Sequence, residues 1–447
     1  MNKLYSTLFI ALLTVGFTAC NNDDCDELHL DNLAHFPNVL KGSFPTENQV
    51  LDLGKTLEIT PELLDPTGAT FSWLINGKEV STEPTFTYKI ENPCRADLTC
   101  IITNKYGKVE MKTSFSSNHD FSKGFFYVAD GIFNFYDTEK KVTYKDCYGS
   151  LNAGKKITSA NNSLYIATNN GKFYVMAGTN SVNEEHFFVV DARTLYYENS
   201  AIVDAGLTGL TLLNDQYALI GGDGVRRIDL KSLNNVQLLD KHLYSIYNGL
   251  VYNGKLLSND TYGDASKVKL FNVSELLAAK AGEMPVAEEL NITQKQKINF
   301  VMAKDGNAYT IESTDDGCNI VRINKDFIPE NIPADFKPAK GPYWSSPTVG
   351  MIASATENVI YIPSENGAVY KYVIGDANSL KNPFIAADES GLPVAATLQL
   401  NQQSGELYVI YGKKWEDYKI VVYTKDGQAS YTVDCGESAP SYILFNN

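Results

Sequence analysis

Histidine, cysteine, methionine and tryptophan are all scarce in this chain of 447 residues, with 5, 7, 6 and 3 copies. The histidines are scattered and share no metal-ligand spacing with the cysteines, so no metal centre is expected. Seven cysteines are too few to build a fold of this length from disulfides. Positive charge is short as well: 38 Lys and Arg stand against 53 Asp and Glu, a formal net charge of -15. That balance argues against nucleic acid or an anionic membrane surface as partner. No apolar run reaches the roughly 20 residues that a membrane-spanning helix needs.

What the chain does have begins at its N-terminus. Lys3 gives a positive start, Leu8-Phe9-Ile10-Ala11-Leu12-Leu13 is apolar, and small residues lead into Cys20. Residues 1–19 therefore read as a secretory signal peptide. Phe17-Thr18-Ala19-Cys20 resembles the lipobox of bacterial lipoproteins, with Phe17 in place of the usual Leu or Val. The resemblance implies that Cys20 is acylated and becomes the mature N-terminus, a membrane contact made through lipid alone. Asn21-Asn22-Asp23-Asp24, then Asp26 and Glu27, open an acidic tether over 20–38. This stretch looks like the surface-export signal of Bacteroidetes lipoproteins, which implies an outer-membrane protein exposed at the cell surface. A periplasm-facing protein on a solvated tether is the alternative.

From 39 to 117 short alternating strands predict a β-sandwich. Phe71, Trp73 and Ile75 alternate strictly, and Asn76-Gly77 supplies a type I′ turn into Glu79-Val80. Roughly seven strands fit within these 80 or so residues, as in an immunoglobulin-like sandwich. Phe71-Ser72-Trp73-Leu74-Ile75-Asn76-Gly77-Lys78 and Leu98–Gly107 resemble the tryptophan hairpin and a later strand of PKD-like and Ig-like domains. Trp73 is expected in the core, and such a domain is expected to act as a spacer. Cys94 and Cys100 are candidates for a disulfide across a short loop, in a compartment that permits oxidation.

Beyond 118 a loose repeat predicts a seven-bladed β-propeller running to residue 447. An apolar strand with a small aromatic motif recurs at Phe126-Tyr127, Leu164-Tyr165, Tyr217-Ala218, Lys255-Leu256, Ala308-Tyr309, Ile360-Tyr361 and Leu407-Tyr408. The spacing, about 38 to 53 residues, is near that of a four-stranded blade. A later strand in six of the units ends at Asp137, Asp191, Asp229, Asn272, Asn324 or Thr424. The first motif lacks an inner strand before it, and residues 439–447 look like that missing strand. The C-terminal segment is therefore expected to pair with Gly124–Ala129 and close the ring. Ser163–Thr168, followed by Phe188-Val189-Val190-Asp191, resembles the YncE-like propellers. With the anchor and the sandwich, the whole is similar to Bacteroidetes surface lipoproteins with a cobalamin-binding-lipoprotein-like, DUF5074-type propeller. Some relatives of that propeller group capture cobalamin and pass it to a transporter.

No catalytic signature is present, and an enzyme is not expected. Gly222-Asp223-Gly224 is a turn and not a phosphate loop, and Ser345-Ser346 lacks a nucleophile elbow. Asp315-Asp316-Gly317 and Asp260–Asp264 lack full calcium-loop spacing. Glu184-Glu185 and Glu416-Asp417 read as solvated loop charge, and no cofactor is expected. Binding is easier to place. Loops entering the inner strands include Gly154-Lys155-Lys156, His242–Tyr247, Gly341–Ser345 and Asp388–Gly391. Tyr244, Tyr247, Tyr343 and Trp344 would present flat apolar rings with polar tips, suited to a sugar or a corrin. Trp415 is a weaker candidate near the rim. The leading expectation is a surface lipoprotein that binds a small molecule or glycan for an outer-membrane transporter. The alternatives are an adhesion or assembly protein and, less favoured, a propeller lyase or hydrolase.

Overall fold

Asn76 and Gly77 both take positive φ, 49° and 80°, which the two central residues of a type I′ turn require. They join Thr70–Ile75 to Lys78–Ser81 at one edge of a five-stranded sheet. This computed structural model describes residues 35–157, 164–177, 185–203, 209–221, 224–241, 247–259, 266–294, 299–339, 350–387, 391–413 and 417–446.

The five-stranded sheet runs in the order Gln49–Asp52, Gly107–Asn118, Arg95–Asn104, Thr70–Ile75, Lys78–Ser81. A second sheet pairs Thr56–Ile59 with Phe86–Lys89. Leu57, Ile59 and Phe86 from the small sheet meet Trp73, Leu98, Ile102 and Phe115 from the large one in a single core. Trp73 is wholly buried, tilts against Phe86 at 5.1 Å, and donates its Nε1–H to the Glu83 carbonyl at 2.8 Å. Burying the ring therefore leaves no donor unsatisfied.

The expected Cys94–Cys100 disulfide is not formed; both are free thiols. No loop separates them, because the continuous strand Arg95–Asn104 begins immediately after Cys94. Six residues of extended chain span about 20 Å, far beyond the roughly 7 Å limit between bridged Cα atoms.

Among the described residues seven small antiparallel sheets follow. The second is built from Leu164–Asn169, Lys172–Ala177, Glu185–Asp191 and Tyr197–Ile202, in that order. The third, fourth, fifth and seventh likewise take four consecutive strands, starting with Gly209–Leu212, Tyr247–Tyr252, Val301–Met302 and Gln399–Leu400. The sixth has three, Ile352–Ala353, Val359–Pro363 and Val369–Val373, and Ile385 bridges to Val369 where a fourth would run. In the first sheet, Gly124–Ala129, Ile132–Asp137 and Val142–Tyr144 are completed by the last strand of the chain, Pro440–Leu444. Leu444 lies opposite Phe126 and Pro440 opposite Ala129, as the repeat predicts.

Packing explains why the second strand of a sheet reads as an unbroken apolar run. Phe126 and Val128 face the second sheet, while Phe125, Tyr127 and Ala129 face the seventh. Ile360 and Ile362 likewise pack toward the fifth sheet, and Val359 and Tyr361 toward the seventh. Both faces are covered, so alternation of residue polarity disappears. Each sheet shares a hydrophobic cluster with the next, and the seventh shares one with the first. Among the described residues no sheet closes on itself into a barrel.

The recurring acidic or amide residue at the end of the third strand has a backbone role. Asp137, Asp191, Asp229 and Asn324 each accept two N–H groups from the turn that follows, and Asn272 accepts the Ser274 N–H. One motif falls on a different strand from the others. Leu164-Tyr165-Ile166-Ala167 lies on the first strand of its sheet, and the second strand is Phe173-Tyr174-Val175-Met176. Both runs are apolar and aromatic, and the turn between them is Asn170-Gly171, each with positive φ.

Candidate functional site

Antiparallel sheets reverse the chain at every strand. The connections from a sheet's last strand to the next sheet's first, and from second strand to third, thus share one end. The turns from first to second and from third to fourth share the other. Residues 242–246 and 340–349 are both connections of the first kind in chain order. One leads from Val236–Asp240 into Tyr247–Tyr252, the other from Pro329–Ala334 toward Ile352–Ala353.

Tyr244, Tyr343 and Trp344 lie outside the described residues, as do Cys20, Ser345, Ser346 and Trp415. Tyr247 is placed by its backbone, opposite Asn259 at the start of its strand; its side chain is outside the description. Lys155, on the connection from the first sheet to the second, holds its Nζ 3.8 Å above the Tyr197 ring centroid. That lysine is a partner of an aromatic ring within the fold.

The strands that receive these connections are braced against one another. Thr211 Oγ accepts the Gly249 N–H at 3.0 Å, linking the first strands of the third and fourth sheets. A Cβ on Gly249 would stand 2.8 Å from Leu256 Cδ1 and 3.1 Å from the Leu257 carbonyl, so close approach requires glycine there. Asn299 grips the chain just after 340–349. Its Nδ2 donates to the Met351 carbonyl at 2.9 Å, and its Oδ1 accepts the Met351 N–H at 3.0 Å. Gly350 again leaves the room, since a Cβ would lie 2.4 Å from Asn299 Oδ1. Thr310, fully buried, donates to the Asn299 carbonyl at 3.2 Å. Local sequence gives no sign of Asn299, because its role depends on a partner 52 residues away.

A family model described as "Domain of unknown function (DUF5074)" matches residues 121–434. The chain belongs to the DUF5074 family. A PKD-like domain model matches residues 37–104. A crystal structure from Bacteroides thetaiotaomicron, of a protein described as quinonprotein alcohol dehydrogenase-like, is 68% identical, with a TM-score of 0.89; the match covers 93% of this chain and 100% of that one. A Lactobacillus plantarum protein is 11% identical over 72% of this chain and 99% of its own, with a TM-score of 0.48. A puromycin hydrolase is 13% identical over 77% of this chain and 52% of its own, at 0.47. Neither of these two remote likenesses bears on function. No curated protein matches.

The DUF5074 region, β-propeller-like in its run of small sheets, starts at Phe121 and stops within Ala429–Gly436, short of the closing strand. Its described thiols are poor nucleophiles. Burial pushes Cys147, Cys318 and Cys435 up to about 12, and Cys100 in the sandwich shares that fate. Among the described residues no three His, Cys, Asp or Glu side chains are grouped as metal ligands. Asp315 and Asp316 are exposed in a turn that Thr314 and Gly317 close with their own hydrogen bonds. Residues 260–265 and Glu184 lie outside the description. Asp305 is committed to the fold: it accepts from Tyr309 Oη at 2.8 Å and Asn307 Nδ2 at 2.7 Å. Ser354, Tyr361 and Gln402 line a small cavity of about 20 Å³ at the opposite end, room for roughly one water. The described polar residues named here, Thr211, Asn299, Asp305 and Thr310, brace strands and turns of this DUF5074 protein.

Proposed function

We propose that the chain is a lipoprotein tethered through Cys20 to the outer membrane, whose seven sheets are the blades of a closed propeller that binds a ligand at the cell surface. The ligand class that fits Tyr244, Tyr247, Tyr343 and Trp344 is ring-bearing: a glycan, or a cofactor such as cobalamin. It would be held for an outer-membrane transporter. The observation that carries this reading is the bracing of the inner strands. Thr211–Gly249 and Asn299–Met351 fix the strands that follow the two connections carrying Tyr244, Tyr343 and Trp344. Rigid strands carrying variable connections are a common basis for recognition. The seven clusters running sheet to sheet, with Pro440–Leu444 in the first sheet, support a closed ring.

Titration calorimetry on the soluble chain that follows Cys20 tests the proposal, with cobalamin and a panel of oligosaccharides as titrants. Saturable binding that Trp344→Ala weakens by about tenfold or more, roughly 1.4 kcal/mol, is expected. Silence across the panel, together with capture of an envelope protein by the propeller, would replace ligand capture with an adhesion or assembly role.

A further inference from the structure

We infer that the sandwich is docked onto the first two sheets as one rigid unit with them, and does not swing on a linker as a spacer would. Domains joined in one chain move relative to one another by default, unless their contact restrains them. Here the connection is only residues 119–123, and its middle residue belongs to the next domain's core. Phe121 is 2% exposed and meets Phe126 at 4.9 Å and Phe135 at 4.8 Å, both edge-on. His119 lies against Phe121 at 4.6 Å while its Nδ1 is 2.9 Å from Ser117 Oγ in the last sandwich strand. Ser117 is itself tied to Cys94 through both backbone and side chain. The Lys123 carbonyl accepts the Thr138 N–H at 2.9 Å and its hydroxyl at 2.7 Å. Gly124 follows, where a Cβ would strike the Tyr136 carbonyl at 1.9 Å. His119, Phe121 and Lys123 in this short segment are thus each held by a contact to the sandwich or to the first sheet.

Contacts away from the connection add to this. Leu53 packs against both the sandwich core and the core between the first and second sheets. Arg95 places its guanidinium 5.3 Å from the Tyr196 ring centroid, within cation–π range. The short helix Cys147–Leu151 runs beside strand Arg95–Asn104. Gly124 opens the second strand of the first sheet, so the chain enters at the end opposite connections 242–246 and 340–349. The docked sandwich is anchored at that entry end.

Hydrogen exchange on the full chain tests the inference. Docking predicts that the amides of Ser117, Gly124 and Thr138 exchange as slowly as those in Cys318–Ile323, far from the joint. The double variant Leu53→Asp/Arg95→Ala should speed exchange at Cys147–Leu151 and Tyr197–Ile202 about tenfold or more, while Cys318–Ile323 stays slow and reports an intact fold. Tyr196→Ala attacks the same contact from the other side and should speed exchange at Gln49–Asp52 and Arg95–Asn104. Fast exchange at the joint in the unaltered chain, or no change in either variant with Cys318–Ile323 intact, would overturn docking.

Discussion

Ile443 lies directly across from Tyr127, and beside it Ser441 Oγ donates to the Val128 carbonyl at 3.3 Å, a contact between residues 313 positions apart. The end of the chain is therefore a structural member of the first sheet. Phe445 adds an edge-on contact to Tyr408 at 5.0 Å, and Tyr408 meets Phe125 at 5.0 Å, tying the seventh sheet to the first.

Loss of this strand should cost the fold far more than loss of eight residues elsewhere. Removing 440–447 would expose the edge of Gly124–Ala129 and uncover Phe125 and Tyr127. Thermal unfolding followed by circular dichroism should show loss of the cooperative transition, or aggregation. The milder Ile443→Ala, at a wholly buried position, should cost about 2–5 kcal/mol. An unchanged melting temperature in either variant would contradict closure by this strand.

Alkali should destabilise the protein. Burial raises the thiols of Cys100, Cys147, Cys318 and Cys435 to about 12 from an ordinary value of 9.0, and holds the phenols of Tyr127 and Tyr361 up near 12. Each folded value lies above the unfolded one, so the protonated group stabilises the fold fully below pH 9. That contribution is lost as pH rises from about 9 toward 12, where the unfolded chain gives up protons that the folded chain keeps. Urea midpoints taken between pH 8 and pH 11 should fall steadily. Substituting Cys147→Ala, which also leaves a small cavity, should flatten part of the slope.

Asn299→Ala removes both hydrogen bonds to Met351 and leaves its backbone groups unpaired. A loss of about 1–3 kcal/mol is expected from urea unfolding, with faster exchange of the Met351 amide. Asn299→Asp retains an acceptor for the Met351 N–H but sets a carboxylate oxygen against the Met351 carbonyl, and should cost at least as much as Asn299→Ala.

Much of the architecture was legible because it is written in short-range pattern. Asn76-Gly77 announces its hairpin, and the aromatic runs announce the second strands. The missing partner of Gly124–Ala129 pointed to residues 439–447. The second sheet was harder: Leu164-Tyr165-Ile166 and Phe173-Tyr174-Val175 satisfy the same pattern, and only the pairing of Lys172–Ala177 with Glu185–Asp191 on its other side decides which is the second strand. The Cys94–Cys100 disulfide failed for a related reason, since sequence separation says nothing of whether the intervening chain turns or runs straight. Asn299, Gly249 and Leu53 were silent because each gains its role from a distant segment. For the candidate site, Tyr247 is placed by its backbone alone, and the legible part is the two connections, 242–246 and 340–349, on which Tyr244, Tyr343 and Trp344 fall.

The proposed ligand site lies at the end of the sheets entered by connections 242–246 and 340–349. Affinity for whichever ligand saturates the unaltered chain should be compared in two double variants by calorimetry. Tyr244→Ala/Trp344→Ala alters that end; Gln402→Ala/Lys425→Ala alters the small cavity at the other. A loss of at least about tenfold is expected in the first, with an unchanged dissociation constant in the second. Full affinity in the first variant, or a loss confined to the second, would contradict this placement.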